Sequence, residues 1–132
     1  MKILLTTYAA ALGATVVLDG LWLGLMGRAF YKAHLGDLLL DRPIWSVAIF
    51  FYLIHPAGIA VFAVPPAGSW LGAALYGAFF GFCVYAVYDI TNLATIPGWP
   101  AVVSLVDLAW GTVVSAIATT FAFAVVRAIH PA

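Results

Sequence analysis

Charge is what this sequence has least of. Of its 132 residues only 8% are charged, where an ordinary soluble domain carries about 25%. Glutamate is absent altogether, so the acidic residues are Asp19, Asp37, Asp41, Asp89 and Asp107, and five basic residues bring the net charge to zero. The basic residues form no run, which leaves nothing to steer the chain toward a polyanion and sets nucleic acid aside as a partner. Cysteine is nearly missing too. Cys83 alone excludes an internal disulfide framework and a cysteine metal cage, and within its apolar stretch it is expected to pack inside the protein, as free cysteines usually do. With 66% hydrophobic residues and a mean hydropathy of +1.13, no water-facing surface can be built. The composition fits one unit over residues 1–132 whose outer solvent is lipid.

What the sequence does have is long apolar runs. A helix needs about 20 mostly apolar residues to cross the hydrocarbon core, and four stretches qualify, roughly 3–27, 44–64, 69–91 and 101–127. Arg28, Arg42-Pro43, Pro65-Pro66, Asn92 and Pro97-Gly98-Trp99-Pro100 punctuate them. Met1-Lys2 and the later Ala11-Leu12-Gly13-Ala14 resemble a cleaved signal peptide, but the apolar run continues to Gly27 and is expected to remain as a span. Because lipid offers no hydrogen bonds to the backbone, the runs are read as helices. The fold expected is an all-α membrane protein, with four transmembrane helices in an antiparallel bundle.

A short interfacial helix is expected between the first two spans. Tyr31, Leu35, Leu38 and Leu39 fall at helical spacing there, with Arg28, Lys32, His34, Asp37 and Asp41 at other positions; a solvated linker is the alternative. Both chain ends lie on one side of the bilayer, here the terminal side, and the first and third connections on the other, the loop side. Three basic residues on the loop side against two on the terminal side leave the orientation open.

Three aspartates stand where carboxylates are expensive. Asp19, Asp89 and Asp107 lie within predicted spans, where an ionised Asp costs about 2.5–3.5 kcal/mol at a helix centre. Asp19 sits about eight residues before the end of the first span and Asp107 about six after the start of the fourth, so both lie roughly 10 Å below the loop-side face. Asp89, with Asn92 one turn later, joins the same layer. The stripes Thr15, Asp19, Trp22 and Ser104, Asp107, Gly111, Ser115, Thr119 have the small and hydroxyl residues of close helix contacts. The pairs Gly20 and Gly24, and Gly77 and Gly81, also mark close packing, within one copy or between copies. Asp19 and Asp107 each open an Asp-x-x-Trp segment on antiparallel spans. His55-Pro56 marks a kink deeper in the second span, where His55 is either a relay or a hydrogen bonder. The five tryptophans, Trp22, Trp45, Trp70, Trp99 and Trp110, lie mostly near span ends, as interfacial belts require. There is no glutamate, and no histidine stands at the i, i+4 ligand spacing from an aspartate, so a metal site is the lesser expectation.

The run Tyr88-Asp89-Ile90-Thr91-Asn92-Leu93-Ala94-Thr95, then Gly98-Trp99-Pro100 and Asp107-Leu108-Ala109-Trp110-Gly111, resembles a family of small bacterial membrane proteins, domain of unknown function 2177. Leu18-Asp19-Gly20-Leu21-Trp22-Leu23-Gly24, Phe30-Tyr31 and Phe51-Tyr52-Leu53 extend the resemblance over nearly the whole chain. It implies a four-helix, multi-pass protein of the bacterial inner membrane and supplies no activity, substrate or cofactor. Its motif residues fall on Asp19, Trp22, Asp89, Asn92, Trp99, Asp107 and Trp110.

Three functions compete over those residues. The first is a loop-side pocket of Asp19, Asp89, Asn92 and Asp107, roofed by Trp22, Trp99 and Trp110, binding or helping to transport a small polar or cationic ligand or lipid headgroup; transport through four helices implies a homo-oligomer. The second is an accessory or assembly subunit of a larger membrane complex, in which the aspartates pair with Arg28, Lys32, Arg42, indole donors or backbone amides and only pin the bundle. The third, a lipid-modifying enzyme, comes last because no Ser-His-Asp set, phosphate loop or cofactor fingerprint is legible. Membrane lipids are contacts in every case, and no cofactor is expected.

Overall fold

Apolar runs of this length satisfy their backbone internally, and the chain does so with helices along nearly its whole length. The computed structural model describes residues 1–131, without the side chain of Arg28. Helix α1 covers Lys2–Trp22 and continues as wide π-helical turns over Leu23–Tyr31. Helix α2 is short, Lys32–Leu35, and ends where Gly36 takes φ +51° before a 3-10 turn to Leu38. Helix α3 spans Trp45–Gly58, contains Pro56, and loosens into π-helical turns over Ile59–Ala63. Helix α4 runs Trp70–Thr95, capped by Ser69, whose Oγ accepts from the Gly72 N–H at 3.0 Å. A turn through Gly98 at φ +76° leads to α5, Ala101–Ile129.

Four helices are long and apolar enough to cross a membrane, over Lys2–Gly27, Trp45–Ala63, Trp70–Thr95 and Ala101–Ile129. The sequence expectation placed the end of α4 near residue 91; it continues one turn further. The Thr91 and Thr95 hydroxyls bond to carbonyls one turn back and leave the backbone ladder intact, which closes with the Ile96 N–H on the Asn92 carbonyl.

Packing is closest where side chains are smallest, as expected when lipid supplies no hydrophobic drive between helices. Helix α5 is central, meeting α4 along its length and α1 on its other side. A Cβ added at Gly77 would come within 2.5 Å of Thr119 Oγ1, and one at Gly81 within 2.1 Å of the Gly111 carbonyl oxygen. Toward the terminal side Ala11, Ile59, Ala63, Ala73, Ala118, Ala122 and Phe123 close a continuous core. Helix α3 packs on α1 but reaches α4 and α5 mainly through its final π-helical turns, beyond Pro56. Its first half therefore stands away from them, and the bundle is shut on the terminal side and wedged open on the loop side.

Two expectations change. Gly20 and Gly24 have nothing within 4 Å of where a Cβ would sit, so no close approach occurs there within the chain. Cys83 is exposed on the outer face of α4, because the inward face of that helix is taken by Gly77, Gly81 and Ala86.

Candidate functional site

The wedge holds a cavity of about 1180 Å³. Helix α1 contributes Asp19 and Trp22, α3 contributes Phe51 and Tyr52, α4 contributes Tyr85 and Tyr88, and α5 contributes Asp107 and Trp110, with Trp99 from the turn before it. The connection between α1 and α3 forms the mouth. Leu35, Leu38 and Leu39, expected on a membrane interface, line this cavity together with Leu40. At the rim Lys32 is paired with Asp41 at 3.1 Å, both side chains being exposed.

The two Asp-x-x-Trp segments interlock here. Trp22 and Trp110 stack face to face, with ring centroids 4.4 Å apart and planes 6° from parallel. Each indole then serves the aspartate of the opposite segment. Trp110 Nε1 donates to Asp19 Oδ1 at 2.8 Å, and Trp22 Nε1 donates at 3.0 Å to the Tyr31 hydroxyl, which itself donates to Asp107 Oδ1. Carboxylates satisfied by charge-assisted donors are tolerated at this depth. Tyr31 lies beyond the first span, and burial first, then its hydrogen bond to Asp107, push the phenol above its ordinary value of 10.0.

Not all the sequence-selected residues meet in the cavity. Asp19, Trp22, Trp99, Asp107 and Trp110 line it, whereas Asp89 and Asn92 are not among its walls. Asp89 is fully buried between α4 and α5, with both carboxylate oxygens lacking a partner among the described residues. Asn92 is half-buried one turn along α4, within reach of Tyr88. Trp99 Nε1 donates to Ser104 Oγ at 2.9 Å. Of the basic partners proposed for the aspartates, Lys32 pairs with Asp41 instead, Arg42 is exposed, and the Arg28 side chain lies outside the described residues. Trp22, Trp99 and Trp110 turn into the cavity, and Trp45 and Trp70 stay exposed near span ends.

His55 lies below the cavity floor, 3% exposed, with Nε2 3.0 Å from Ser115 Oγ and Nδ1 unpartnered. This Ser–His contact has no acid on Nδ1 and Ser115 is fully buried, so it is not arranged as an activated nucleophile. Among the described residues no group of three or more His, Cys, Asp or Glu is placed to hold a metal ion.

Tyr31 is the functional candidate that sequence reasoning missed. Nine residues make about two and a half turns of an α-helix and would set Trp22 and Tyr31 on opposite faces. The wider winding over Leu23–Tyr31 brings them to one face. Tyr52, beside Asp19, was visible only as part of the Phe51-Tyr52-Leu53 resemblance.

No curated protein and no solved structure matches this chain. The model of domain of unknown function 2177, described as a predicted membrane protein, matches residues 4–124. That match reaches into all four spans and takes in both Asp-x-x-Trp segments, and the chain belongs to this family of membrane proteins.

Proposed function

We propose that the loop-side cavity binds an ammonium group, carried by a free small molecule or by a lipid headgroup, with Asp19 and Asp107 as its counter-charges. One observation carries this reading: the cavity joins two carboxylates to a wall of indole and phenol rings, and Lys32, the basic residue at its rim among the described residues, is already paired with Asp41. Aromatic faces attract cations, most strongly where water is excluded. Trp22, Trp99 and Trp110 form the walls, while Asp89 and Asn92 lie outside the cavity. The leucines at the mouth suit the apolar part of an amphiphile. Binding, rather than permeation through one copy, fits the closed terminal half. The membrane we assign is the bacterial inner membrane, which the family resemblance implies.

The test is a tryptophan-fluorescence titration of the purified protein in nanodiscs. Dodecyltrimethylammonium stands for the lipid source, tetramethylammonium for the free one, and dodecyl sulfate and a dodecyl glycoside for the wrong charge. Saturable quenching by a cationic probe is expected, weakened about tenfold or more, or ~1.4 kcal/mol, in Asp19→Asn/Asp107→Asn. Equal titration by all probes, or an unchanged double variant, overturns the reading. A second reading, an accessory subunit, draws on the open α1 face at Gly20 and Gly24. Loss of a co-purifying complex in Gly20→Leu, with probe binding intact, would favour it.

A further inference from the structure

Asp89 is the acidic side chain of the spans that reaches neither the cavity nor a donor. Its carboxyl group has no exposed surface, and among the described residues neither oxygen has a hydrogen-bond partner. The Ser104 hydroxyl beside it is already committed: Oγ donates to the Asp89 backbone carbonyl at 3.2 Å and accepts from Trp99 Nε1. An ionised carboxylate so placed would have lost its water and gained nothing in return. With Lys32 paired to Asp41 and Arg42 exposed, no basic side chain among the described residues meets its charge, which leaves a proton or a bound cation.

The donor set separates the two. A metal ion of the hard kind needs several oxygen ligands, and the described residues provide no group of three acidic, histidine or cysteine side chains for one. A proton needs a single carboxylate oxygen. Among the described residues the titratable groups near Asp89 are Asp107 on α5, Tyr31 on the connection and Tyr88 on α4 itself, none of them basic; the Arg28 side chain lies outside those residues. Asp107 stands one turn along α5 from Ser104 and lines the cavity, which gives a short way out.

We propose that Asp89 is a proton site: it holds a proton in the resting protein and exchanges it with the loop-side cavity through Asp107. In each exchange the O–H bond on Asp89 breaks, the proton passes to a carboxylate oxygen of Asp107 and on to water, and the electron pair stays on Asp89. The site stands whether or not the cavity binds an ammonium group. Where that reading also holds, a cation beside Asp107 favours proton release, and by linkage deprotonation favours the cation.

Infrared spectroscopy of the full chain in nanodiscs, labelled with carboxyl-¹³C aspartate and without added ligand, tests this. The carbonyl stretch of a protonated carboxylic acid is expected in the wild type, in Asp19→Asn and in Asp107→Asn, and absent from Asp89→Asn. In D2O the wild-type band should shift within minutes, and in Asp107→Asn about tenfold more slowly or less. A wild type with no such band, a band that survives Asp89→Asn, or one unshifted after a day overturns the proposal. Unchanged exchange in Asp107→Asn overturns the route. Should Asp89→Asn fail to fold, persistence of the wild-type band in both Asp19→Asn and Asp107→Asn supports Asp89, and its loss in either one overturns the assignment.

Discussion

On the terminal side the helices meet closely through Ala11, Ala63, Ala73, Gly77, Ala118, Thr119 and Ala122. On the loop side the same helices carry Trp22, Tyr52, Tyr85, Asp107 and Trp110 and stand far enough apart to leave about 1180 Å³. The two halves differ in what holds them. Small residues let backbones approach and gain dispersion contacts, a mode of packing that tolerates no added atom. Large polar aromatics hold the other half apart through a few directed hydrogen bonds, each of which can be removed singly. Pro56 and the π-helical turns after it mark the change, since α3 touches α4 and α5 mainly beyond that point. The cavity that combines carboxylates with aromatic walls is accordingly confined to one half.

The comparison breaks most severely at Gly81. Leucine there would drive a Cβ to within 2.1 Å of the Gly111 carbonyl oxygen, which backbone movement alone could relieve. Gly81→Leu is expected to cost upwards of about 3 kcal/mol, the upper end of overpacking, seen as loss of the monodisperse peak in size-exclusion chromatography. Gly20→Leu, with nothing within 4 Å, should leave the thermal midpoint of the isolated chain within the range of an ordinary surface change. Equal effects of the two would erase the distinction between halves.

Next in size is Trp110→Phe. It keeps a ring against Trp22 but removes the indole donor to Asp19, which is 5% exposed and would be left short of a partner. A loss of about 1–3 kcal/mol is expected in denaturant titrations, along with the exciton signal of the Trp22–Trp110 stack in circular dichroism.

Tyr31→Phe removes one donor and one acceptor from the loop-side network, and a cost of about 1–2 kcal/mol at neutral pH is expected. Its pH signature follows from linkage. The folded protein raises the Tyr31 phenol above 10.0, so the stabilisation it supplies is complete below that pH and is lost as pH rises through the folded value. The difference in thermal midpoint between wild type and Tyr31→Phe should therefore shrink above about pH 10, whereas a pH-independent gap would place the hydroxyl outside the network. The smallest effect belongs to Lys32→Ala: its partner Asp41 is exposed, and the thermal midpoint should barely move.

Much of this was legible in the chain itself. Four apolar runs and their proline and glycine boundaries specified four spans, because hydrocarbon allows such segments no other regular backbone. The spacing of Ser104, Gly111, Ser115 and Thr119 marked the buried stripe of α5, and counting residues from the span ends put Asp19 and Asp107 at one depth. Periodicity stopped being informative where the winding changed. Tyr31 faces Trp22 only because Leu23–Tyr31 is π-helical, and no residue type there announces it.

What the sequence determined by itself, then, was the solvent of this protein and the level of its acids, since both follow from local composition and helical rise. Only the tertiary structure decided which acids share a space: α3 packs on α1 but stands away from α4 and α5 until the turns beyond Pro56, admitting Asp19 and Asp107 to a cavity, while α4 and α5 close over Asp89. That division depends on the close glycine contacts of one seam and the kink of another helix, quantities set by neighbours distant in sequence.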